Sequence, residues 1–279
     1  MPGSGKKLNT RIHSPMTHPL KRGVVSVVAL LLLSCCAAPP THTVTQVSTI
    51  NALMTGVFDA DVPCTTLLAS GDFGIGTFDR LDGEMVVLDG VVYQVKADGR
   101  VCQADPAAKT PFATVCKFSK DTGDRLKCAN KDYDGLKAVI DTDWPQHNLF
   151  YAIRVDGIFP VMKTRSVPAQ QKPYPPLKDI AASQPEFTMT NVCGTLVGFR
   201  CPAFVKGINV PGYHLHFISS DRTQGGHVLG FALGEGTYRV DMCDTFVMML
   251  PSANEAFLKA DLASERAEDL KHVESKTQK

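Results

Sequence analysis

Three of the eight histidines in this chain crowd into residues 214–227, in Tyr213-His214-Leu215-His216-Phe217 and then His227. On a strand, side chains alternate faces, so His214 and His216 project together while Leu215 and Phe217 turn the other way, into a core. The polar stretch 219–226 ends in Gly225-Gly226, a good turn, after which His227 can begin the neighbouring strand beside the pair. Three neutral imidazoles on adjacent strands, with a fourth position open, are the ligand set of a catalytic zinc ion. The bland alternative is an H-x-H that falls by chance on a half-exposed strand. The third histidine after a tight turn weighs against it.

A metal-centred reaction on a small acid also needs a carboxylate to move protons and a guanidinium to hold an anion in a planar fork. Glu84 begins an expected strand after Leu81-Asp82-Gly83, and Arg165 ends another in Met162-Lys163-Thr164-Arg165-Ser166-Val167-Pro168. Taken alone, each reads as a solvated surface charge, and the sequence does not place either beside the histidines. The cluster Gly71-Asp72-Phe73-Gly74-Ile75-Gly76 lacks G-x-G-x-x-G spacing and runs into strand-like residues. It reads as turn chemistry, with Thr77 its one interesting polar member. Two C-terminal glutamates are open as further ligands. Glu255 lies in Ser252-Ala253-Asn254-Glu255, an S-x-x-E capping box with a ready local role. Glu274 ends an expected helix, where its charge is disfavoured by the dipole.

The elements that must position these residues are mostly strands. Glu84-Met-Val-Val-Leu88 and Val91-Val-Tyr-Gln-Val95 flank Asp89-Gly90, a strong hairpin cue, and Asp98-Gly99 follows. Residues 149–162 read as two strands joined at Asp156-Gly157, and further strands cover 187–199, 213–219, 227–233 and 238–250. Short helices are expected at 50–58, 134–141, 177–183, 252–260 and 264–274. The result is an α+β fold, strand-rich, with two mixed or antiparallel β-sheet halves and a few short helices. The Pro-rich stretch 167–176 is the expected divide, between an N-terminal β-rich half over 50–168 and a C-terminal metal-binding β half with a helical tail over 169–279.

At 279 residues and 44% hydrophobic, the chain can bury one sizeable core or two small ones. Its formal charge of +1 gives no general attraction to nucleic acid. Residues 1–35 read as a signal peptide: Lys21-Arg22 precede the apolar run 24–33, too short to span a bilayer comfortably. The ending Leu32-Leu33-Ser34-Cys35 resembles a lipobox, which makes Cys35 the lipid-anchor residue of an exported lipoprotein. A plain signal peptide is the alternative, and Met16 an alternative start. Residues 36–49, rich in Pro, Thr and Ala, read as a tether. The seven later cysteines show no C-x-x-C spacing. Cys193 with Cys201, or Cys116 with Cys128, are the nearest disulfide candidates.

Three separated blocks resemble the hallmark segments of alpha-acetolactate decarboxylases, in that family's order. They are Gly71-Asp-Phe-Gly-Ile-Gly-Thr-Phe-Asp-Arg-Leu-Asp-Gly-Glu84, then Phe150-Tyr-Ala-Ile-Arg154 through Lys163-Thr-Arg165-Ser-Val-Pro168, then Asn209-Val-Pro-Gly-Tyr-His-Leu-His-Phe217 with Gly225-Gly226-His227. The resemblance runs from about residue 50 to near the C-terminus. It implies Zn2+ on His214, His216 and His227, with a tail glutamate, best matched by Glu274, completing the metal shell. It further implies a catalytic glutamate at Glu84, an arginine at Arg165 and a threonine at Thr77. The implied reaction converts 2-acetolactate to acetoin and CO2 by Lewis-acid catalysis, without an organic cofactor. The leader and the extra cysteines depart from the family pattern. Expected partners are the small-molecule substrate, a second copy of the chain in a homodimer, and a lipid at Cys35. Two rival readings stand beside it: an exported zinc hydrolase or hydratase in which the same three histidines activate water, and a non-catalytic metal-binding lipoprotein drawing on Met242, Cys243, Met248 and Met249 as soft ligands.

Overall fold

The computed structural model describes residues 1–5, 42–119 and 126–274. Residues 1–37 form a unit of their own, of which the described residues 1–5 are irregular and exposed. The rest of the expected leader, its Cys35 and the first part of the tether lie outside the described residues.

The body of the chain, from residue 38 on, is one compact unit. Its first element overturns part of the tether assignment. Thr43–Val47 is strand β1, buried along its whole length. The reason is local: Thr-Val-Thr-Gln-Val is a β-branched run that suits a pleated, buried surface, and the surrounding Pro, Thr and Ala obscured it. There follow α1 (Ile50–Met54), β2 (Val62–Pro63), α2 (Cys64–Ser70), β3 (Phe73–Thr77), β4 (Glu84–Leu88), β5 (Val91–Val95), β6 (Val101–Gln103), β7 (Lys109–Thr110) and β8 (Ala113–Cys116). The second part of the chain holds β9 (Leu126–Asp132), α3 (Tyr133–Asp143), β10 (Phe150–Arg165), α4 (Leu177–Ala181), β11 (Glu186–Cys201) and β12 (Gly212–Ser219). It ends with β13 (Gly225–Cys243), β14 (Thr245–Met249), α5 (Glu255–Lys259) and α6 (Ala267–Glu274).

Two principal sheets form. One has seven strands in the order β14-β1-β8-β3-β4-β5-β6, mixed because β1 and β14 run parallel. The other has five in the order β10-β11-β12-β13-β9, and β10 also pairs β13, so its ladder closes on itself. The fold is thus strand-rich α+β with few short helices. The sheets do not part at the Pro-rich stretch, however. β9 and β10 precede it yet belong to the five-stranded sheet, and β14 returns from the C-terminal side to the seven-stranded one.

The Asp89-Gly90 hairpin forms as expected, both residues in the left-handed region (φ 51° and 78°) that a two-residue turn needs. Asp156-Gly157 does not turn. β10 runs straight through it because β11 and β13 pair it on both sides, Gly157 facing Gly194 and Gly236. Asp156 is occupied instead by Arg154 Nε and Thr195 Oγ1, which donate to its carboxylate at 2.9 and 2.8 Å. For the same reason the two strands expected at 227–233 and 238–250 are one long β13, followed by β14. The Gly71–Gly76 cluster is also not merely a turn. A Cβ on Gly74 would collide with the Thr114 carbonyl of β8, and one on Gly76 would lie 2.6 Å from the Phe112 carbonyl. Glycine there lets β3 approach β8.

The core has layers. Between the sheets pack Phe73, Ile75, Val86 and Leu88 from one side and Phe150, Val197, Phe199 and Ile218 from the other. The far face of the five-stranded sheet is covered by Leu136 and Ile140 of α3, and that of the seven-stranded sheet by Leu67 of α2. A fourth cluster joins α1, α4 and α6 through Ile50, Leu53, Leu177, Ile180, Leu270 and Val273. These three helices roof one end of the inter-sheet layer.

The seven described cysteines are unpaired thiols. Cys193 and Cys201 lie on one strand, eight residues and so roughly 26 Å apart. Cys116 and Cys128 belong to different sheets. Gly74→Ala should therefore lower stability by roughly 1–3 kcal/mol, because backbone must move, whereas Gly90→Asn, with open space around it and a residue that tolerates positive φ, should be near neutral. Urea midpoints of the two variants check this, and equal midpoints would reject the close-approach account.

Candidate metal centre

Strand register builds the site. His214 and His216 share a face of β12 with Ile218, a member of the inter-sheet core, while Leu215 and Phe217 enter the core on the other side. His227, near the start of β13, pairs directly with His216 across one ladder and with Arg165 across the other. A bulge between Lys163 and Thr164 sets the end of β10 in that register. From the opposite sheet, Thr77 of β3 and Glu84 of β4 are directly paired neighbours. Residues separated by up to two hundred positions thus meet at one end of the inter-sheet layer, and Glu274 enters from the last turn of α6.

The three imidazoles each offer a nitrogen within 4.8 Å of the others, all from buried residues. His214 Nε2 and His227 Nδ1 are 3.2 Å apart. Two imidazole ligands of a tetrahedral metal ion lie at about 3.3 Å from each other. His216 Nδ1–H donates to the Met85 carbonyl of β4 at 2.8 Å. That bond fixes the ring's tautomer and leaves Nε2 as a bare lone pair, which is buried with no hydrogen-bond partner among the described residues. Glu274 Oε2 lies 3.7 Å from His227 Nε2 and 3.9 Å from His214 Nε2, and Glu84 Oε2 lies 3.6 Å from His216 Nε2. An orphaned imidazole lone pair, ringed by two more imidazoles and a carboxylate, fits a divalent cation.

Electrostatics agree with that fit. Burial, helped by the nearby Arg165 charge, pulls His214 down to about 3. Burial likewise holds His216 and His227 well below the ordinary histidine range, with neighbouring imidazoles and Arg165 adding to the effect. All three rings are therefore neutral at pH 7, with lone pairs free. Burial pushes Glu84 up to about 8, against the pull of Arg165 and with the push of the Glu274 charge. Burial raises Glu274 to about 7, again against Arg165. At neutral pH Glu84 is mostly protonated, so it holds a proton beside His216.

Arg165 is 3% exposed. One of its terminal nitrogens, Nη2, donates to the Val273 carbonyl in α6, and its Nε is buried without a partner among the described residues. Thr77 Oγ1 donates to the Gly83 carbonyl at 2.8 Å, which ties down the turn leading into Glu84. All seven expected site residues line one cavity, with Ile50, Leu53, Leu81, Phe112, Val167 and Leu177 as its apolar wall. Glu255 is elsewhere, on the surface, paired with Lys259 at 2.8 Å. Its capping box does not form, because Asn254 caps α5 instead, accepting from the Phe257 N–H at 3.0 Å. The proposed soft ligands do not converge either: Cys243 is in the core while Met242 and Met248 are at the surface.

Sequence reasoning missed Gln184, which also lines the cavity. It lies in the turn between α4 and β11 and carries no motif; only its position two residues before Glu186, the cross-strand partner of Arg165, connects it to the site.

The alpha-acetolactate decarboxylase family model matches residues 44–264. The alpha-acetolactate decarboxylase of Methanosarcina mazei is 50% identical over 230 residues, covering 82% of this chain and 79% of its own. That of Bacillus subtilis strain 168 is 38% identical over 218 residues, covering 78% and 85%. The crystal structure of alpha-acetolactate decarboxylase from the same strain superposes with a TM-score of 0.81 at 38% identity, over 84% of this chain and all of that one. If the histidine site holds a metal, the wild-type chain should retain a stoichiometric divalent ion through dialysis, and His214→Ala, His216→Ala and His227→Ala should each lose it. Elemental analysis of the four proteins decides; full metal content in any variant removes that histidine from the ligand set.

Proposed function

Since the chain belongs to the alpha-acetolactate decarboxylase family, and is with it a carboxy-lyase, we propose that it converts 2-acetolactate to acetoin and CO2 with zinc held by His214, His216, His227 and Glu274. The observation that carries this reading is the neutral, buried imidazole triad with an orphaned lone pair on His216. Three nitrogens and one carboxylate oxygen suit zinc among the common divalent ions. When bound, the ion supplies Lewis acidity to the substrate's oxygens.

The chain's own residues supply the rest. Arg165, buried at the cavity with its Nε unpaired, receives and orients the substrate's negative charge. The apolar wall, from Ile50 to Leu177, excludes water from the reacting carbon. Decarboxylation breaks the bond to the carboxyl carbon and leaves its electron pair on the substrate, where the 3-oxo group accepts it. One proton must then be returned to carbon. Glu84, raised by burial and 3.6 Å from His216 Nε2, is placed to give it. Thr77 holds the turn that aims Glu84. Export through the leader, lipid attachment at Cys35 and homodimer formation belong to the same proposal. The first two are supported by Lys21-Arg22, the apolar run and Leu32-Leu33-Ser34-Cys35. The third is supported by the open edge strand β14, where Val247, Met248 and the following Leu250 are exposed.

Chelated protein should form no acetoin, and added zinc should restore the rate. Full activity of metal-free protein would reject the metal reading. Glu84→Gln should keep the metal but lower kcat by about 10²-fold or more, and Arg165→Lys should raise KM because a point charge cannot replace a planar fork; wild-type constants in both would remove these roles. Glu274→Gln, and truncation after His272, should weaken zinc retention while circular dichroism stays unchanged. Undiminished retention in both would leave the three histidines as the whole protein ligand set.

A further inference from the structure

We infer that Gln184 binds the tertiary hydroxyl of the substrate through its Oε1, and so selects 2-hydroxy-3-oxo acids over 3-oxo acids that lack the hydroxyl. The inference rests on the decarboxylase reading above and names one more contact in the same cavity.

Buried polar atoms in folded proteins are nearly always paired, and an exception calls for an explanation. Three atoms from residues lining this cavity are buried without a partner among the described residues: His216 Nε2, Arg165 Nε and Gln184 Oε1. Their chemistry differs. His216 Nε2 is a lone pair already accounted for by a cation. Arg165 Nε is a charged donor and meets an acceptor, which the substrate's oxygens supply. Gln184 Oε1 is an acceptor and needs a donor. The 2-acetolactate anion carries two carboxylate oxygens, a ketone oxygen and one hydroxyl. The hydroxyl is its only donor, so in this amide orientation it is the group that pairs with Oε1.

The backbone around Gln184 is held still, as a recognition group requires. On one side the Ser183 N–H and Oγ both engage the Ile180 carbonyl of α4, at 3.0 and 3.2 Å. On the other, the Pro185 carbonyl accepts from the Ser166 N–H at 3.2 Å, directly beside Arg165. The amide and the guanidinium are thereby set relative to each other by main chain. A ligand without the hydroxyl leaves Oε1 buried and unpaired, which is the strongest way for a polar pocket to reject an analogue.

The test uses the metal-loaded protein and two unreactive ligands measured by calorimetry. One is 2-hydroxy-2-methylbutanoate, whose tertiary hydroxyl is its only donor; the other is 2-methylbutanoate, which lacks it. In the wild-type chain the first should bind more tightly. In Gln184→Met, which keeps length and removes the amide, the ratio of the two Kd values should fall about tenfold, mostly through the hydroxylated ligand. Gln184→Asn, which keeps the amide but withdraws it, should also lower the ratio and serves if the Met variant fails to fold. An unchanged ratio in a wild-type-like fold overturns the assignment while leaving the decarboxylase reading intact. A wild-type protein that makes no acetoin and binds neither ligand overturns that reading, and this inference with it.

Discussion

His216 joins the two sheets at the point where the chemistry is built. Its main chain pairs with His227 in one sheet, and its Nδ1–H reaches across the core to the Met85 carbonyl in the other. The neighbour of Met85 is Glu84, so the bond that orients the His216 ring also fixes the strand that carries that carboxyl. Because the two sheets pack over an apolar layer, this contact is buried. That burial favours neutral imidazoles and raises the Glu84 carboxyl. Geometry and protonation state have one cause, the burial of polar groups at the end of a hydrophobic layer.

Such burial is costly, and the arrangement shows how the cost is contained. An isolated carboxylate or guanidinium in a dry interior is strongly unfavourable unless paired. Here one cation, Arg165, faces two carboxyl groups, and both carboxyls respond by rising toward the neutral form. A divalent ion on the histidines adds positive charge at the place where Glu274 approaches. It would return that carboxyl to its ionised form and give the orphaned His216 lone pair a partner. Hydrophobic contacts elsewhere in the layer, from Phe73 to Phe199 and Ile218, hold the sheets together well enough to sustain this local expense.

What could be read from the residues follows from how local each signal is. The H-x-H pair and the turn to His227 depend on strand alternation over a few residues, and the structure places all three rings together. Asp89-Gly90 is likewise local and forms its hairpin. Glu84 and Arg165 gain their meaning only from pairing between strands far apart in the chain, which no spacing records; the family resemblance alone connected them. The misreadings have the same root. Asp156-Gly157 has turn composition, but neighbouring strands pair straight through it and override the local preference. β1 hides in a segment whose composition resembles a linker, and becomes a strand because β8 and β14 flank it. Glu255 looked like half of a capping box, yet Asn254, the adjacent residue, makes the cap. Gln184 has no pattern to betray it, since a buried orphan atom is visible only in three dimensions.

The tail is tied to the cavity through one residue, Arg165. Leu270 and Val273 seat α6 against α1 and α4, which roofs the cavity and brings Glu274 to the histidines. The helix meets the site with its C-terminal end, where unpaired carbonyls carry partial negative charge. A glutamate there adds to that charge, so the end of α6 gathers negative charge at the cavity. Arg165 offsets this by donating Nη2 to the Val273 carbonyl, while its Nε is buried without a partner among the described residues. One guanidinium therefore anchors the roof and lines the cavity. Residues 265–274 lie beyond the family match, which ends at 264, and these contacts place Glu274 in the structure. Lysine could not do both, because its single ammonium lacks a planar fork with separate edges for a carbonyl and an anion. The tail thus gives its own reason for arginine at this position, apart from any part in the proposed reaction.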